Sequence, residues 1–379
     1  MPIGLYVHFP FCRNRCAYCD FYKELHDPGL EQHFYDALAI ETELVAASSA
    51  GRRVDIGTIY VGGGTPSLTN IDLFARWLDQ ARDLFSFAAE PEFSIEHNPE
   101  TVTREKLAAL RDLGCNRPVF GVQSFDQRLL KLLGRRHRPR SSHKAVYLAN
   151  ALGFENFGLD LMFGLPGQTS KMLSADLDHL LDLEPPHISF YQLTIEEGTR
   201  LAEQVKAGKV KPVDAELLLA MYRGGCEQMA DEGYVRYEVS SFARPGFECR
   251  HNLGYWEGGD YIGLGPSAHS FVGNERYSNI ADLAGYVESL KSGRRPLIED
   301  RSGVEQRMME AIMLGLRTAR GINRRQFAAR FGRPLDDRLD RKQYELFIQS
   351  GHLIPDRGRL RLSDEGICLA DEITRRLLK

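Results

Sequence analysis

The sequence predicts an α/β protein in which an incomplete (β/α)6 barrel is followed by a mainly helical, winged-helix-like C-terminal domain. Between residues 4 and 244, short apolar runs alternate with helical patterns, which is typical of β/α units around parallel strands. Six such units are found, fewer than the eight of a complete barrel. The predicted strands span residues 5–9, 56–61, 93–96, 119–122, 156–161 and 188–192.

The bulk composition excludes several classes of protein. The chain has 379 residues, 43% apolar and 26% charged, which fits an ordinary globular protein with more than one core. No apolar run is long enough to cross a bilayer, and the N-terminus lacks the pattern of a signal peptide. Seven cysteines, three of them clustered, fit a reducing compartment better than a disulfide framework. We therefore expect a cytoplasmic protein.

The net charge of −4 is unevenly distributed. Residues 317–379 carry 15 Lys/Arg against 9 Asp/Glu, a local balance of +6, so the remainder stands at −10. A winged helix can bind nucleic acid, but here the basic residues are interleaved with acids and no aromatic platform accompanies them. We predict a packing or interaction role for this region and no nucleic-acid partner, although it could contact an acidic partner.

Three segments are predicted along the chain. Residues 1–244 form the partial barrel, residues 245–296 a His- and aromatic-rich loop region ending in a linker at 292–296, and residues 297–379 the helical domain. In the last segment an amphipathic helix at 305–317 precedes two short helices, a hairpin at 353–362 and a final helix to Lys379.

Three cysteines in C-x3-C-x2-C spacing, Cys12, Cys16 and Cys19, come directly after the first strand. Three thiolates can hold three corners of a 4Fe-4S cube and leave the fourth iron open to a ligand. A structural zinc site is the alternative, but zinc prefers four ligands, and the other four cysteines are scattered singly. We favour the iron-sulfur cluster, while spacing alone leaves zinc open.

Unusual residues follow the next strands as well. In barrel folds ligands meet the carboxyl ends of the strands, so these positions predict a site. A glycine triplet follows the second strand without the pattern of either a P-loop or a dinucleotide fold, and it could also be a tight turn. Taken singly, each polar residue is better explained as a helix cap or a surface group than as a ligand contact; together they indicate a ligand site. The positions concerned are Gly64, Thr65, Glu96, Gln123 and Asp160.

Two further segments could reach a ligand. The basic run at residues 131–144 is expected to be mostly a solvated surface, but one arginine could pair with a carboxylate. The segment at 249–269, rich in His, Tyr and Trp, could bind a flat unsaturated ligand or a second metal. Its alternative is a packed aromatic loop with His251 hydrogen-bonded to the backbone, which the residues alone favour.

The cysteine loop, with Tyr18 before its last cysteine, resembles the radical S-adenosylmethionine (SAM) superfamily. Four longer motifs are similar to the oxygen-independent coproporphyrinogen III oxidase family: Tyr-x-His-Phe-Pro-Phe-Cys, Gly-Gly-Gly-Thr-Pro-Ser, Gly-Val-Gln-Ser-Phe and Asp-Leu-Met-Phe-Gly-Leu-Pro. The resemblance runs from about Leu5 to the C-terminus. A His-Asn-x-x-Tyr-Trp motif beginning at His251 marks the heme chaperone branch of that family.

The resemblance implies a 4Fe-4S cluster on the three cysteines, with the amino and carboxylate groups of SAM chelating the open iron. It places Tyr6 and Tyr18 near the cluster and the nucleoside, and Gly64 and Thr65 at the methionine part.

The resemblance also implies roles for the polar residues at later strand ends. Glu96 would meet polar groups of SAM, Gln123 and Asp160 the ribose region, and Arg135 the carboxylate. His251 would bind heme.

Departures from the oxidase pattern are informative. The oxidase has a further cysteine two residues after the third, where this chain has Phe21, and it carries an N-terminal extension. Both differences argue against porphyrinogen decarboxylation. Pro118 stands where the family usually has an apolar strand residue, so the fourth strand is expected to begin at or after it.

Two functions follow from the resemblance. The first is a heme chaperone that binds heme and passes it to an acceptor heme protein, for example a membrane-associated respiratory one. The second is a radical enzyme, in which an electron donor reduces the cluster, SAM is cleaved and a porphyrinogen is attacked. Radical methyltransferases and heme-degrading relatives share the cluster half of the pattern. The sequence leaves open the acceptor, the electron donor, covalent heme attachment, SAM cleavage and the oligomeric state.

Overall fold

The computed structural model of the protein describes residues 2–48, 53–356 and 358–378. Strands in these residues, numbered in chain order, are β1 Ile3–Phe9, β2 Phe11–Cys12, β3 Glu24–Leu25, β4 Asp55–Gly63, β5 Ser86–His97, β6 Arg117–Gln123, β7 Gly158–Phe163, β8 His187–Gln192, β9 Val235–Glu238, β10 Ser241–Ala243, β11 Tyr261–Leu264, β12 His269–Val272, β13 Glu275–Asn279, β14 Leu297–Asp300, β15 Ile322–Asn323, β16 Leu353–Asp356 and β17 Arg359–Leu362.

The helices, numbered in the same way, are α1 Pro28–Ala47, α2 Ile71–Leu84, α3 Arg104–Asp112, α4 Gln127–Leu132, α5 Pro139–Ala151, α6 Ser170–Leu181, α7 Arg200–Lys206, α8 Ala215–Asp231, α9 Arg250–Trp256, α10 Leu283–Lys291, α11 Val304–Leu316, α12 Arg324–Phe331, α13 Arg341–Gln349, α14 Asp364–Ile367 and α15 Ala370–Leu377. Short 3-10 helices occupy Pro66–Leu68, Pro99–Thr101 and Leu335–Arg338. None of the helices in the described part of the chain is both long and apolar enough to cross a membrane.

Six strands run parallel and lie side by side in chain order: β1, β4, β5, β6, β7 and β8. At least one helix separates each strand from the next along the chain. The two outer strands of this set, β1 and β8, do not pair with each other, so the barrel is open. The predicted fold class, an incomplete (β/α)6 barrel with a C-terminal helical domain, is confirmed.

Side chains alternate between the two faces of this sheet, as the pleat of a strand requires. On β4, Ile59 and Val61 are buried against the outer helices, together with Trp77 of α2. Tyr60, between them, faces the interior of the barrel, where its hydroxyl donates to Glu96 Oε1 at 3.0 Å. The barrel interior is therefore lined by polar and aromatic side chains, and the apolar core lies between sheet and helices.

The sheet continues beyond the six parallel strands at both edges. On one side β11 pairs parallel with β1, and β12, β13 and β14 follow antiparallel; on the other, β10 and β9 follow β8. The prediction of a loop over residues 245–296 is therefore wrong, because this segment forms α9, three strands and α10. Each of these strands has only four or five residues, too few for a clear alternating pattern.

A buried carboxylate on α1 holds this extension in place. Glu41 Oε2 accepts hydrogen bonds from the backbone of Gly265 at 2.9 Å and from the hydroxyl of Tyr286 at 2.7 Å. Its other oxygen accepts from Asn279 at 2.7 Å and lies 3.5 Å from Arg295. A buried charge is tolerated when it is hydrogen-bonded and paired in this way.

The C-terminal part has a core of its own, built around Met308, Ile312, Phe327 and Leu360. Helices α11–α15 surround a three-stranded antiparallel sheet of order β15-β17-β16, the arrangement of a winged helix. The predicted hairpin forms, although Arg357 within it and the predicted helix end at Lys379 lie outside the described residues. Strand β14, at the start of the predicted third segment, pairs with β13 in the large sheet.

Strand β6 begins at Arg117, one residue before the proline that was expected to delay it. Pro118 lies opposite Ile95 of β5, and pairing with β7 starts only at Val119. Pro118 therefore has no partner on β7, so the N–H group that proline lacks is not needed on that side. The prediction that β6 begins at or after Pro118 is wrong by this one residue.

Candidate functional site

A cleft of about 490 Å³ lies at the carboxyl ends of the parallel strands. Ten of the twelve predicted site residues line it, brought together from the cysteine loop, from the ends of β4, β5, β6 and β7 and from the segment after α4: Cys12, Cys16, Cys19, Tyr18, Gly64, Thr65, Glu96, Gln123, Arg135 and Asp160. Tyr6 and His251 do not line it. The strand-end positions chosen from the sequence therefore share one cavity.

The cysteine loop leaves β2 and returns through β3, with which β2 pairs. The backbone of Ala17 in its middle is fixed from both sides, since it donates to Leu133 O at 2.9 Å and accepts from Leu201 N at 2.8 Å. Asn14 donates to Gly134 O at 3.1 Å. The loop is thus anchored to the segments that follow β6 and β8.

The glycine triplet Gly62–Gly64, which ends β4, positions this loop. A Cβ on Gly64 would lie 2.6 Å from Phe11 O, and the backbone N–H groups of Gly64 and Thr65 donate to Phe9 O and Phe11 O at 2.8 Å each. Gly63 has a φ of 101°, which favours glycine, and a Cβ there would meet the ring of His8. The close approach that requires glycine is therefore to the strand that carries Cys12.

Two carboxyl groups form the floor of the cleft. Burial, and secondarily Asp160, raise the pKa of Glu96 to about 7, and burial raises the pKa of Asp160 to about 6. Glu96 accepts from Tyr60, as described above. Both groups therefore change charge near neutral pH and can accept hydrogen bonds from a cation or a hydroxyl.

Gln123 and Arg135 face this floor. Gln123 ends β6 with a φ of 67°, uncommon for a residue other than glycine, and its Oε1 accepts from the hydroxyl of Tyr191 at 2.7 Å. Arg135 donates through Nη2 to Gly121 O at 2.5 Å, and its buried Nε has no hydrogen-bond partner in the described structure. Other arginines of the basic run are exposed as expected: Arg136, Arg138 and Arg140.

Tyr6 lies below the floor, in a column of rings inside the barrel. Its hydroxyl is 3.1 Å from His8 Nδ1, and its ring stacks on Tyr60 at 6.4 Å. Tyr60 in turn stacks on His251 at 5.3 Å. The column therefore connects the cleft floor with α9.

His251 is 3% exposed, and both of its ring nitrogens are engaged. Nδ1 lies 2.7 Å from Thr58 Oγ1, and Nε2 lies 2.7 Å from the hydroxyl of Tyr255. Burial, then the charge of Arg117, lower the pKa of His251 to about 3, so the ring is neutral. His251 is packed and hydrogen-bonded, as the residues alone favour, but the predicted backbone partner is wrong, because both partners are side chains.

A smaller pocket of about 150 Å³ lies on the far side of Tyr255, between α9 and α11. Its walls combine aromatic side chains with charged ones of both signs, among them Tyr255, Trp256, Tyr261, Phe271, Arg276, Arg330, Glu257 and Glu310; Glu310 pairs with Arg276. Tyr255 therefore separates His251 from this pocket.

Comparisons with known proteins identify the family. Family models described as "Radical SAM superfamily" and "HemN C-terminal domain" match residues 6–180 and 304–369. A protein named heme chaperone HemW from Mycobacterium tuberculosis is 36% identical over 380 residues, covering 100% of this chain and 95% of that relative. One of the same name from Bacillus subtilis is 32% identical, covering 97% of each. The chain belongs to the HemW family.

The resemblance predicted from the motifs is thereby confirmed, and the HemW family lies within the radical SAM superfamily. A solved structure described as coproporphyrinogen III oxidase (HemN) from Escherichia coli has a TM-score of 0.85 at 24% identity, covering 99% of this chain and 89% of that one. At this identity the likeness concerns the fold.

The cysteine set of this HemW family chain fits the 4Fe-4S cluster that the superfamily implies. Within residues 2–48, 53–356 and 358–378, no three His, Cys, Asp or Glu side chains are placed to share one metal ion. In a cube each thiolate binds a different iron, so the thiols need not converge on one point. Burial raises the pKa of Cys12 and of Cys19, so cluster assembly would displace their protons.

Two side chains that belong to this site, Tyr60 and Lys23, were not predicted from the sequence. Tyr60, the hydrogen-bond donor to Glu96, could have been found from strand alternation, since it precedes Gly62 by two residues on the same face. Lys23 lines the cleft and contacts Cys19. A single lysine after the cysteines carries no distinctive sequence pattern.

Proposed function

We propose that the chain is a heme chaperone: it binds heme and transfers it to an acceptor heme protein, and it carries a 4Fe-4S cluster chelated by SAM. One observation carries the proposal, namely the identity above 30% to proteins named heme chaperone HemW along nearly the whole of both chains. The matched length takes in the cysteine loop and the segment around His251. We propose two kinds of partner: an acceptor heme protein, for example a respiratory one, and an electron donor.

The cleft supports the cofactor part of the proposal. Cys12, Cys16 and Cys19 would hold the cluster, and SAM would occupy the open iron through its amino and carboxylate groups. When bound, this pair supplies one-electron chemistry for cleavage of SAM. Arg135, with an unpartnered Nε in the cleft, would pair with the carboxylate of SAM.

The remaining cleft residues would fix the rest of the cofactor. Glu96 would accept from its polar groups, and Gln123 and Asp160 from the ribose. Tyr18, Gly64 and Thr65 would form walls beside the nucleoside and the methionine part. Tyr6 would act from below, through the ring column, because it does not line the cleft.

Heme binding through His251 requires a local rearrangement. Tyr255 must release His251 Nε2 before that nitrogen can become an axial ligand of heme iron. The 150 Å³ pocket must also widen, since pockets that enclose drug-sized ligands have about 300–1,000 Å³. Arg330, and Arg276 once released from its ion pair with Glu310, would then meet the heme carboxylates.

An anaerobic heme titration of three proteins tests this proposal. His251→Ala removes the ligand, whereas Tyr255→Phe keeps the ring and removes only the hydroxyl that occupies Nε2. We expect heme affinity to fall at least about tenfold with a changed Soret band in His251→Ala, about 1.4 kcal/mol, and to hold or rise in Tyr255→Phe. Unchanged affinity and Soret band in His251→Ala would rule out the ligand role.

A radical enzyme acting on a porphyrinogen is the second candidate. It is favoured by the cleft itself, where carboxyls that titrate near neutral pH lie beside the cysteine loop. Phe21, 62% exposed at the cleft where the oxidase has a further cysteine, argues against it. Formation of protoporphyrinogen from coproporphyrinogen III with SAM and a reductant would establish this activity, and its absence would exclude the oxidase reaction.

A further inference from the structure

Each of the three clustered thiols is within hydrogen-bonding distance of one side-chain donor, and each donor comes from a different segment. Thr65 Oγ1 donates to Cys12 Sγ at 3.4 Å, from the turn after β4. Arg135 Nη1 donates to Cys16 Sγ at 3.9 Å, from the segment after α4. Lys23 Nζ donates to Cys19 Sγ at 3.4 Å, from within the cysteine loop.

Lys23 is held in this position by its other hydrogen bonds. Its Nζ also donates to Cys19 O at 2.7 Å and to Phe21 O at 2.8 Å. An ammonium group has three protons, and three acceptors in one turn of the loop use all of them. The positive charge is therefore fixed beside the sulfur of Cys19.

No carboxylate offsets this charge by direct contact. In the part of the chain that the structure describes, no Asp or Glu oxygen lies within 4.0 Å of the Lys23 ammonium. Arg135 differs, since its guanidinium is shared with Gly121 O and has a proposed role in binding SAM. Lys23 is thus the donor whose removal changes the surroundings of a thiol without removing a proposed contact to SAM.

A fixed positive charge and a hydrogen bond to a ligating sulfur both stabilise the more negative, reduced form of an iron-sulfur cluster. We infer that Lys23 is a positioning residue that raises the reduction potential of the cluster through its hydrogen bond to Cys19. The inference rests on the proposed function, because it requires the cluster. The step concerned is uptake of one electron from an external donor.

Redox titration of the reconstituted full-length protein, followed by electron paramagnetic resonance with dithionite as reductant, tests the inference. At the midpoint potential of the wild type, Lys23→Met should contain about ten times more oxidised than reduced cluster. This tenfold change corresponds to a midpoint potential that is lower by about 59 mV for one electron. Lys23→Arg keeps the charge and should restore most of the potential.

Arg15→Met is the matched control, because it removes one positive charge from the same loop at a side chain that is 65% exposed. We expect it to change the ratio less than about twofold, since solvent screens exposed charges. Lys23→Gln covers the case in which the Met variant assembles no cluster. Its amide can still donate to the loop carbonyls, and it should show the same fall in potential.

Iron and sulfide content separates the possible failures. If Lys23→Met assembles an intact cluster and its midpoint potential is unchanged, the inference is overturned and the proposed function stands. If Lys23→Met lacks iron, the same result in Lys23→Gln has the same consequence. An equal shift in Arg15→Met would also overturn the inference. Wild-type protein that takes up zinc and no iron would overturn the cluster itself, and the inference with it.

Discussion

Glu96 and Asp160 are the residues of the cleft whose charge changes near neutral pH. Their pKa values of about 7 and about 6 result mainly from burial, because the cleft floor removes water from both carboxyls. The protonated form of each group is therefore stabilised until a cation or a hydrogen-bond donor arrives. A ligand that carries positive charge would displace these protons.

SAM affinity should consequently rise with pH. Glu96 accepts hydrogen bonds from a cationic ligand best when ionised, and its ionised fraction grows as pH rises through about 7. Equilibrium dialysis of the cluster-loaded protein should give an affinity about tenfold higher at pH 8 than at pH 6. Glu96→Gln should bind more weakly and lose most of this dependence. Equal affinities at both pH values in the wild type would contradict the assignment of Glu96.

The depth of a residue in the barrel explains which residues of the cleft could be predicted from the sequence. Glu96, Gln123 and Asp160 lie near the carboxyl ends of their strands and were found from the rule that ligands bind there. Tyr6 is paired with Tyr60, and Tyr60 with Ser94 of β5, two residues before Glu96, so the inward-facing ring of Tyr6 lies under the floor. Alternation gives the face of a side chain, whereas its depth in the barrel depends on the register between strands.

The residues that surround helix α9 could not be predicted from the sequence. His251 contacts Thr58, which precedes it by 193 residues, and the two meet only because α9 packs against β4. Glu92 of β5 fixes the start of this helix, since its carboxylate accepts from the backbone N–H groups of Arg250 and His251 at 2.9 Å each. Cys249 also lies 3.5 Å from that carboxylate.

Removal of this anchor should destabilise the protein. Glu92→Ala leaves two backbone N–H groups of α9 without their acceptor and removes one negative charge beside the buried Arg117. We expect a loss of about 3 kcal/mol in the free energy of unfolding, measured with urea. Glu90→Ala, an exposed position on the same strand, should change it by less than about 0.5 kcal/mol. Equal stability of the two variants would contradict the anchoring role.

At the scale of the whole molecule, one sheet carries both candidate sites. The cysteine-lined cleft opens at the carboxyl ends of the parallel strands, and the pocket beside Tyr255 lies between α9 and α11. The ring column of Tyr6, Tyr60 and His251 passes between them inside the barrel. Glu96, hydrogen-bonded to Tyr60, ends this column at the cleft.

The parallel half of this architecture could be predicted, and the extension could not. The six strands that form the barrel contain short apolar runs and are separated by helices, so their pattern is strong. Strands β11–β14 are short, and they are held in part through Glu41 of α1, more than 200 residues earlier in sequence. Contacts of that kind leave no local trace in the sequence.

We expect a single chain to hold a cluster and heme at the same time. The most direct test is the content of non-heme iron, sulfide and heme in protein that has been reconstituted anaerobically, loaded with heme and freed of excess by gel filtration. We expect about four non-heme irons and about one heme per chain. Zinc in place of iron, or a protein that keeps its cluster and retains no heme, would contradict it.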